Sequence, residues 1–237
     1  MPYTPAGQEL ANAHQLVILN IDSQGKAATV PSGRYDAKSG SVVFKTTEFS
    51  RYAVAYVTKS FADVQHVLWA KEAVEAMAVR DIIKGVSDDF APAVSITRAD
   101  FITLLVRVLE LKGPGTNTAV FSDVQPTAYY AQAVAISKEL GIAYGFEDNT
   151  FKPSSISRQD MMVLTAKALK AAGKPSAGSG NLAPYSDAAT ISTYAVDSVT
   201  SLVGSGIVNG KGGKIAPTEL LTRAEAAVIL SRIWATH

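Results

Sequence analysis

The chain has 237 residues, 47% of them hydrophobic, which suits one large domain or two small ones with a packed core. Its 22 basic and 21 acidic residues leave a net charge of +1, so no global field draws nucleic acid or an anionic membrane, and any anion binding is local. Cysteine is absent, which excludes disulfides, thiolate catalysis and thiolate metal sites. No apolar stretch approaches the roughly 20 residues that span a bilayer, so no membrane insertion is expected. The opening Met1-Pro2-Tyr3-Thr4-Pro5 lacks the basic-then-apolar layout of a secretory signal. An exported protein with this beginning is expected to be a piece of a longer chain; a short cytosolic protein is the alternative.

Residues 1–60 carry three short β-favouring runs, Leu16-Val17-Ile18-Leu19, Val42-Val43-Phe44 and Tyr52 to Val57. Asp22-Ser23-Gln24-Gly25 and Asp36 to Gly40 have the chemistry of hairpin turns between them. This predicts a small β segment, the end of an upstream domain, with an edge that needs cover from the rest of the chain or from a partner.

From residue 61 the sequence repeats itself. Phe61-Ala62-Asp63-Val64, Phe121-Ser122-Asp123-Val124 and Tyr185-Ser186-Asp187-Ala188 recur at separations of 60 and 64 residues. Each is followed by an aromatic residue (Trp69, Tyr129, Tyr194) and, 16 residues after that, by a glycine (Gly85, Gly145, Gly210). Between aromatic and glycine, Val74, Met77 and Ala78, then Val134 and Ile136, then Val199, Leu202 and Val203 keep helical spacing and mark a buried face. These helices are expected to end near Asp81, Gly141 and Gly206, each followed by an isoleucine that packs against the cap. Asp81 is the exception, because aspartate accepts a positive φ less readily than glycine.

Phe90-x-Pro92, Phe151-x-Pro153 and Ile215-x-Pro217 come next, and then Thr97-Arg98-Ala99-Asp100, Ser157-Arg158-Gln159-Asp160 and Thr222-Arg223-Ala224-Glu225. A hydroxyl at the N-cap with a carboxylate three residues on opens a helix, and only the third copy has the glutamate of a full capping box. Second helices follow, with stripes such as Leu104-Leu105-Val108-Leu109, Met161-Leu164-Ala168-Leu169 and Ala227-Leu230-Ile233-Trp234. Linkers at Gly113 to Asn117 and Gly173 to Gly180 separate repeats at 61–113, 121–173 and 185–237. A unit of roughly 50 residues is too small to bury both its helices alone, so the three are expected to share one core.

The aromatic-x-Asp opening, the mid-unit aromatic, the Gly-Ile-x-x-Gly turn, the Phe-x-Pro and the Thr-Arg-Ala-Glu-like start resemble the S-layer homology family. That resemblance implies a mainly α fold, a pseudo-threefold, three-pronged spindle around a central three-helix bundle. It implies non-covalent anchoring of a secreted surface protein to a Gram-positive cell wall. The expected partner is a secondary cell-wall polymer, often carrying pyruvylated N-acetylmannosamine, held in grooves between neighbouring repeats. Self-assembly in an S-layer without glycan contact, or tethering of an exported glycoside hydrolase, are the alternatives.

Carried over residue by residue, the resemblance puts Arg98, Arg158 and Arg223 at the glycan, with Asp63, Asp123 and Asp187, the turn glycines Gly85, Gly145 and Gly210, and the aromatics Trp69, Tyr129 and Tyr194. The chemistry suits an anionic sugar. A pyruvyl ketal carries a carboxylate, and an arginine at a helix start offers a two-donor fork beside free backbone amides. Each residue also has a structural role open to it. The arginines can sit in solvent or pair within a repeat, and the aspartates can cap a helix or orient the arginine. The aromatics can anchor the core, and the glycines can serve turn geometry alone. Copy two departs furthest from the pattern, with Gln159-Asp160 in its tetrad and the bulky Tyr144-Gly145-Phe146 in its turn.

Nothing points to catalysis. His14, His66 and His237 lack metal-ligand spacing, Asp88-Asp89 and Glu147-Asp148-Asn149 do not continue into a calcium loop, and Gly204-Ser205-Gly206 sits late in a helix with no strand before it. The expectation is a binding module with no catalytic residue, no metal and no cofactor.

Overall fold

A computed structural model describes residues 1–47, 50–113, 120–176 and 178–236. Pro114 to Asn117 of the first linker, Ala177 of the second and His237 lie outside the described residues. The chain forms two compact units, Met1–Pro92 and Ala93–His237. The break falls inside the first repeat, after its Phe-x-Pro and before its tetrad.

In the first unit, β1 (Leu16–Ile21) lies between β2 (Ala27–Val30) and β5 (Arg51–Tyr56) in an antiparallel sheet, and β3 (Arg34–Asp36) pairs with β4 (Ser41–Val43). Ile18 stands opposite both Val30 and Val54. With Val42 and Val30 it forms the centre of a small core walled by Tyr3, Tyr35, Phe44 and Tyr52. The predicted runs become β1, β4 and β5. The strands β2 and β3 were not expected, because Ala27-Ala28 and the charged Arg34 and Asp36 dilute the β-favouring Thr29, Val30 and Tyr35, and pairing holds both strands. Asp22 closes its turn by accepting from the amides of Gln24 and Lys26, both at 2.9 Å.

A short helix, α1 (Gln8–Ala11), precedes the sheet, and α2 (Leu68–Val79) packs against the turn Ala13–Gln15 that leads into β1. The side chain of Arg80, at the end of α2, is 1% exposed and ties helix to sheet. It donates to the carbonyls of His14 (2.6 Å), Leu16 (2.8 Å), Ala76 (2.8 Å) and Gly33 (3.1 Å). Asp81 takes the left-handed conformation at φ 54°, as Gly141 and Gly206 do at 68° and 71°. The amide of Ile82 reaches back to Met77 O, that of Ile142 to Ser137 O and that of Ile207 to Leu202 O, so all three first helices end in the same 6→1 motif. Lys59 supports the odd copy by binding Asp81 (2.8 Å) and Ala78 O (3.1 Å).

The second unit holds α3 (Arg98–Val108), α4 (Ala131–Glu139), α5 (Arg158–Ala171), α6 (Val196–Gly204) and α7 (Arg223–Thr236). Here α3 packs against both α5 and α7, while α4 packs on α3 and α6 on α5. The first helix of a repeat therefore leans on the second helix of the repeat before it. That position explains why α3 buries Phe101, Ile102, Leu104, Leu105 and Val108 around most of its circumference.

The tetrads bring the repeats together. Ile96 N–H donates to Leu221 O (2.9 Å), Leu221 N–H to Ile156 O (3.0 Å) and Ile156 N–H to Ile96 O (3.3 Å), a closed ring of backbone bonds just before the three second helices. Two residues on, the amides of Arg98, Arg158 and Arg223 donate to Ser154 O, Glu219 O and Val94 O, running round the repeats in the reverse order. Each second helix thus starts with a main-chain bond to a neighbouring repeat.

Candidate functional site

The tetrads cap their helices as their residue types require. Thr97 and Ser157 accept from the amides of Asp100 (3.0 Å) and Asp160 (3.2 Å) and donate to those same carboxylates. In the third copy the longer Glu225 reaches back to the Thr222 amide (2.9 Å) while Thr222 accepts from the Glu225 amide (3.3 Å).

The opening aspartates are built into the turn that precedes the tetrad. Asp63 accepts from the amides of Phe90 (3.0 Å) and Ala91 (2.6 Å), Asp123 from Phe151 (2.7 Å) and Lys152 (2.8 Å), Asp187 from Ile215 (2.8 Å) and Ala216 (2.7 Å). Ala91, Lys152 and Ala216 all have positive φ, between 54° and 58°. Such a backbone is unfavourable for a side-chain-bearing residue, and a carboxylate that receives two consecutive amides offsets that strain. Two opposing effects act on Asp187. Desolvation pushes its carboxyl up, but the Ile215 and Ala216 amides outweigh it and leave the group below the ordinary carboxylate value.

The turn glycines face inward. A Cβ on Gly85 would come within 2.7 Å of both the Phe61 ring and Asp89 O, and one on Gly145 or Gly210 would strike the rings of Phe121 or Tyr185. The bare side of each glycine is thus covered by the opening aromatic of its own repeat, which explains the nearly constant spacing between the two.

The mid-unit aromatics face solvent: Trp69 is 62% exposed, Tyr129 70% and Tyr194 60%. Tyr129 donates to Asp100 Oδ1 (2.5 Å) and Tyr194 to Asp160 Oδ1 (2.7 Å), so each tyrosine is held by the helix-start carboxylate of the repeat before it. Desolvation, then these bonds, push both phenols up to about 12. Because the folded value lies above the free value near 10, the stabilisation is whole below pH about 10 and is lost as pH rises towards 12. In alkaline unfolding titrations, wild type should lose stability more steeply through that window than Tyr194→Phe; parallel curves would remove the Asp160 bond from the account.

The arginines differ. The Arg98 guanidinium carbon lies 5.1 Å from the Phe151 ring centre and 5.6 Å from that of Phe146. Its Nε is buried and has no hydrogen-bond partner among the described residues. Burial pulls its pKa down, and the nearby Asp160 and Tyr194 act in the opposite direction. Arg98, Asp160 and Tyr194 come from the first, second and third repeats, so one site draws on all three.

Arg158 is 3% exposed and fully engaged, with Nε donating to Ile215 O (2.9 Å) and Nη1 paired with Glu225 (3.0 Å). Lys211 adds ion pairs to Glu225 (3.2 Å) and Glu219 (2.6 Å). Burial pushes the Glu225 carboxyl up, but the Thr222 amide, Arg158 and Lys211 prevail and hold it low. Arg223 is half-buried and keeps its backbone link to Val94. Asp63, Gly85 and Trp69 belong to the first unit.

Sequence reasoning missed several residues. Gln159 exchanges hydrogen bonds with Ser192 at the start of the third repeat's first helix, at 3.1 Å in both directions. Lys152 and Lys167 lie over the rings of Phe146 and Tyr144, at 4.0 and 4.7 Å. Only the bulk of Tyr144 and Phe146 signalled anything at these positions. No group of three or more histidine, aspartate or glutamate side chains suited to a metal occurs among the described residues.

Comparison with known proteins gives the family. The profile of the S-layer homology domain matches residues 60–102, 120–162 and 184–227, more than half of the chain. The amylopullulanase of Thermoanaerobacterium thermosulfurigenes is 34% identical over 84% of this chain and 11% of its own length. The surface-layer 125 kDa protein of Lysinibacillus sphaericus is 30% identical over 69% of this chain and 14% of its own length. A cellulosome-anchoring protein of Acetivibrio thermocellus is 26% identical over 60% of this chain and 33% of its own length. The chain thus spans about a tenth to a third of the relatives it matches. Its three matched segments begin one residue before Phe61, Phe121 and Tyr185, and the chain belongs to the S-layer homology domain family of secreted, cell-surface anchoring modules.

Proposed function

We propose that this chain holds a larger protein to the bacterial cell wall by binding a secondary cell-wall polymer through its pyruvylated N-acetylmannosamine. The observation that carries this is Arg98, a half-buried guanidinium with an unpartnered Nε at a helix start, beside exposed aromatic rings. A carboxylate fits the guanidinium and the backbone amides, and sugar faces fit the rings. Direct contact is assigned to Arg98, Arg223, Trp69, Tyr129 and Tyr194, while the buried Arg158 is held by Glu225. The aspartates Asp63, Asp123 and Asp187 and the glycines Gly85, Gly145 and Gly210 would hold the turns that shape the grooves.

In the same reading, the repeats at 61–113, 121–173 and 185–237 form a pseudo-threefold spindle with α3, α5 and α7 as its central bundle. The cyclic backbone bonds at Ile96, Ile156 and Leu221 support it. Residues 1–60 would close an upstream domain, and any hydrolase activity would lie outside this chain, as its small share of the amylopullulanase suggests.

The test is binding of the chain to purified wall polymer with and without its pyruvyl groups. Binding should fall when pyruvate is removed, and Arg98→Gln should weaken it by about 1.5–3 kcal/mol, the value of a charge-assisted hydrogen bond. Equal binding to both polymers would refute the carboxylate mechanism. Assembly into lattices without glycan, followed by light scattering, would favour the self-assembly reading.

A further inference from the structure

Resting on the glycan-anchoring reading, we propose that the turn of the second repeat, through Tyr144 and Lys167, builds a second sugar subsite beside Arg98, so that this site takes two consecutive sugars of an anionic glycan.

Charge favours this site over its equivalent at Arg158. Around Arg98 stand Lys152, which also feels Asp148, and Lys167, both stacked on aromatic rings, and the carboxylate that acts on Arg98 itself is Asp160. That carboxylate already accepts from the hydroxyls of Ser157 and Tyr194. The surplus is positive. Around Arg158, by contrast, Lys211 is matched against Glu219 and Glu225, and Glu225 also holds the guanidinium. An internal carboxylate occupies the seat that a pyruvyl group would need.

The platform lies between the helix cap and α5. Tyr144 is 69% exposed, yet its hydroxyl lies over Gly141, where a Cβ would come within 2.7 Å of it, so the bare backbone of the helix cap lets the ring lie down. Lys167 covers the ring from α5, 4.7 Å from its centre, and feels the charge of Arg98. A ring laid over the helix cap and backed by an ammonium is a stacking surface for the apolar face of a neutral sugar. The matching turns carry Lys84-Gly85-Val86 and Asn209-Gly210-Lys211, with no ring to stack on, so the subsite belongs to this turn alone among the three.

Calorimetry with a pyruvylated N-acetylmannosamine glycoside, and with the same sugar extended by one N-acetylhexosamine, tests the proposal. Wild type should bind the disaccharide on the order of tenfold more tightly, a gain of about 1.4 kcal/mol. Tyr144→Ala should abolish that gain and leave the monosaccharide affinity in place, while Tyr144→Phe, which keeps the ring, should retain it. Equal affinity for the two ligands in wild type, or equal weakening of both by Tyr144→Ala, would overturn the second subsite and leave the anchoring reading standing. Failure of both ligands to bind wild type would overturn both.

Discussion

Replacing Arg80 by Met should destabilise the Met1–Pro92 unit by about 3–5 kcal/mol, the range measured when one partner of a buried charged network is removed. The guanidinium is 1% exposed and satisfies carbonyls from four places: the turn before β1, β1 itself, the segment before β3 and the last turn of α2. Methionine fills much of the volume but strands those carbonyls away from water, each at about 1–3 kcal/mol where no substitute donor reaches it. Burial lowers the Arg80 pKa to about 9, which still leaves it charged at neutral pH. Lysine keeps a charge but presents a single ammonium in place of a planar fork, so Arg80→Lys should recover only part of the loss. Hydrogen exchange measures this locally: amides of β1 and α2 should lose protection together in Arg80→Met. Unchanged protection in both would mean that apolar packing alone holds helix to sheet.

Arg80 also marks where the sequence stops being legible. Its position is ordinary in a helical pattern, and nothing local distinguishes it from a solvated cation at a helix end. Its role depends on β1 and the turns beside it, 47 to 66 residues away in the chain. The repeats were readable for the opposite reason. Caps, turn glycines and N-cap hydroxyls act within a few residues, so three copies of one spacing expose them, including the left-handed Asp81 that departs from glycine. What repetition hid was difference. The three arginines match in sequence, yet Arg98 keeps an unpartnered Nε while Arg158 is locked by Glu225, because the carboxylate that meets each one comes from the next repeat. The exposed setting of Tyr129 and Tyr194 follows from the same cause, since Asp100 and Asp160 lie in the preceding repeat. Contacts between repeats decide these roles, and single-copy spacing does not encode them.

Replacing Asp187 by Ala should destabilise the Ala93–His237 unit by roughly 2–4 kcal/mol, two charge-assisted hydrogen bonds discounted for the carboxylate's partial exposure. The bonds lost are those from the amides of Ile215 and Ala216, the latter at φ 55°. Once the carboxylate is gone, the left-handed Ala216 has nothing to offset its strain, and two amides in a largely buried turn lose their acceptor. The damage should reach the site, because Ile215 O receives Arg158 Nε at 2.9 Å. Acid titration separates this role from general packing. The folded Asp187 carboxyl lies below its unfolded value, so its contribution is present above about pH 4 and is lost as pH falls through the folded value. Urea unfolding should therefore show a wild-type protein that weakens in acid and an Asp187→Ala variant that starts weaker but declines less over the same interval. Asp187→Asn should fall between them at neutral pH, since its one carbonyl oxygen can still accept one of the two amides. If Asp187→Ala were as stable as wild type at neutral pH, the recurrence of the opening aspartate ahead of each turn would need another cause, and direct contact with the glycan would become the leading one.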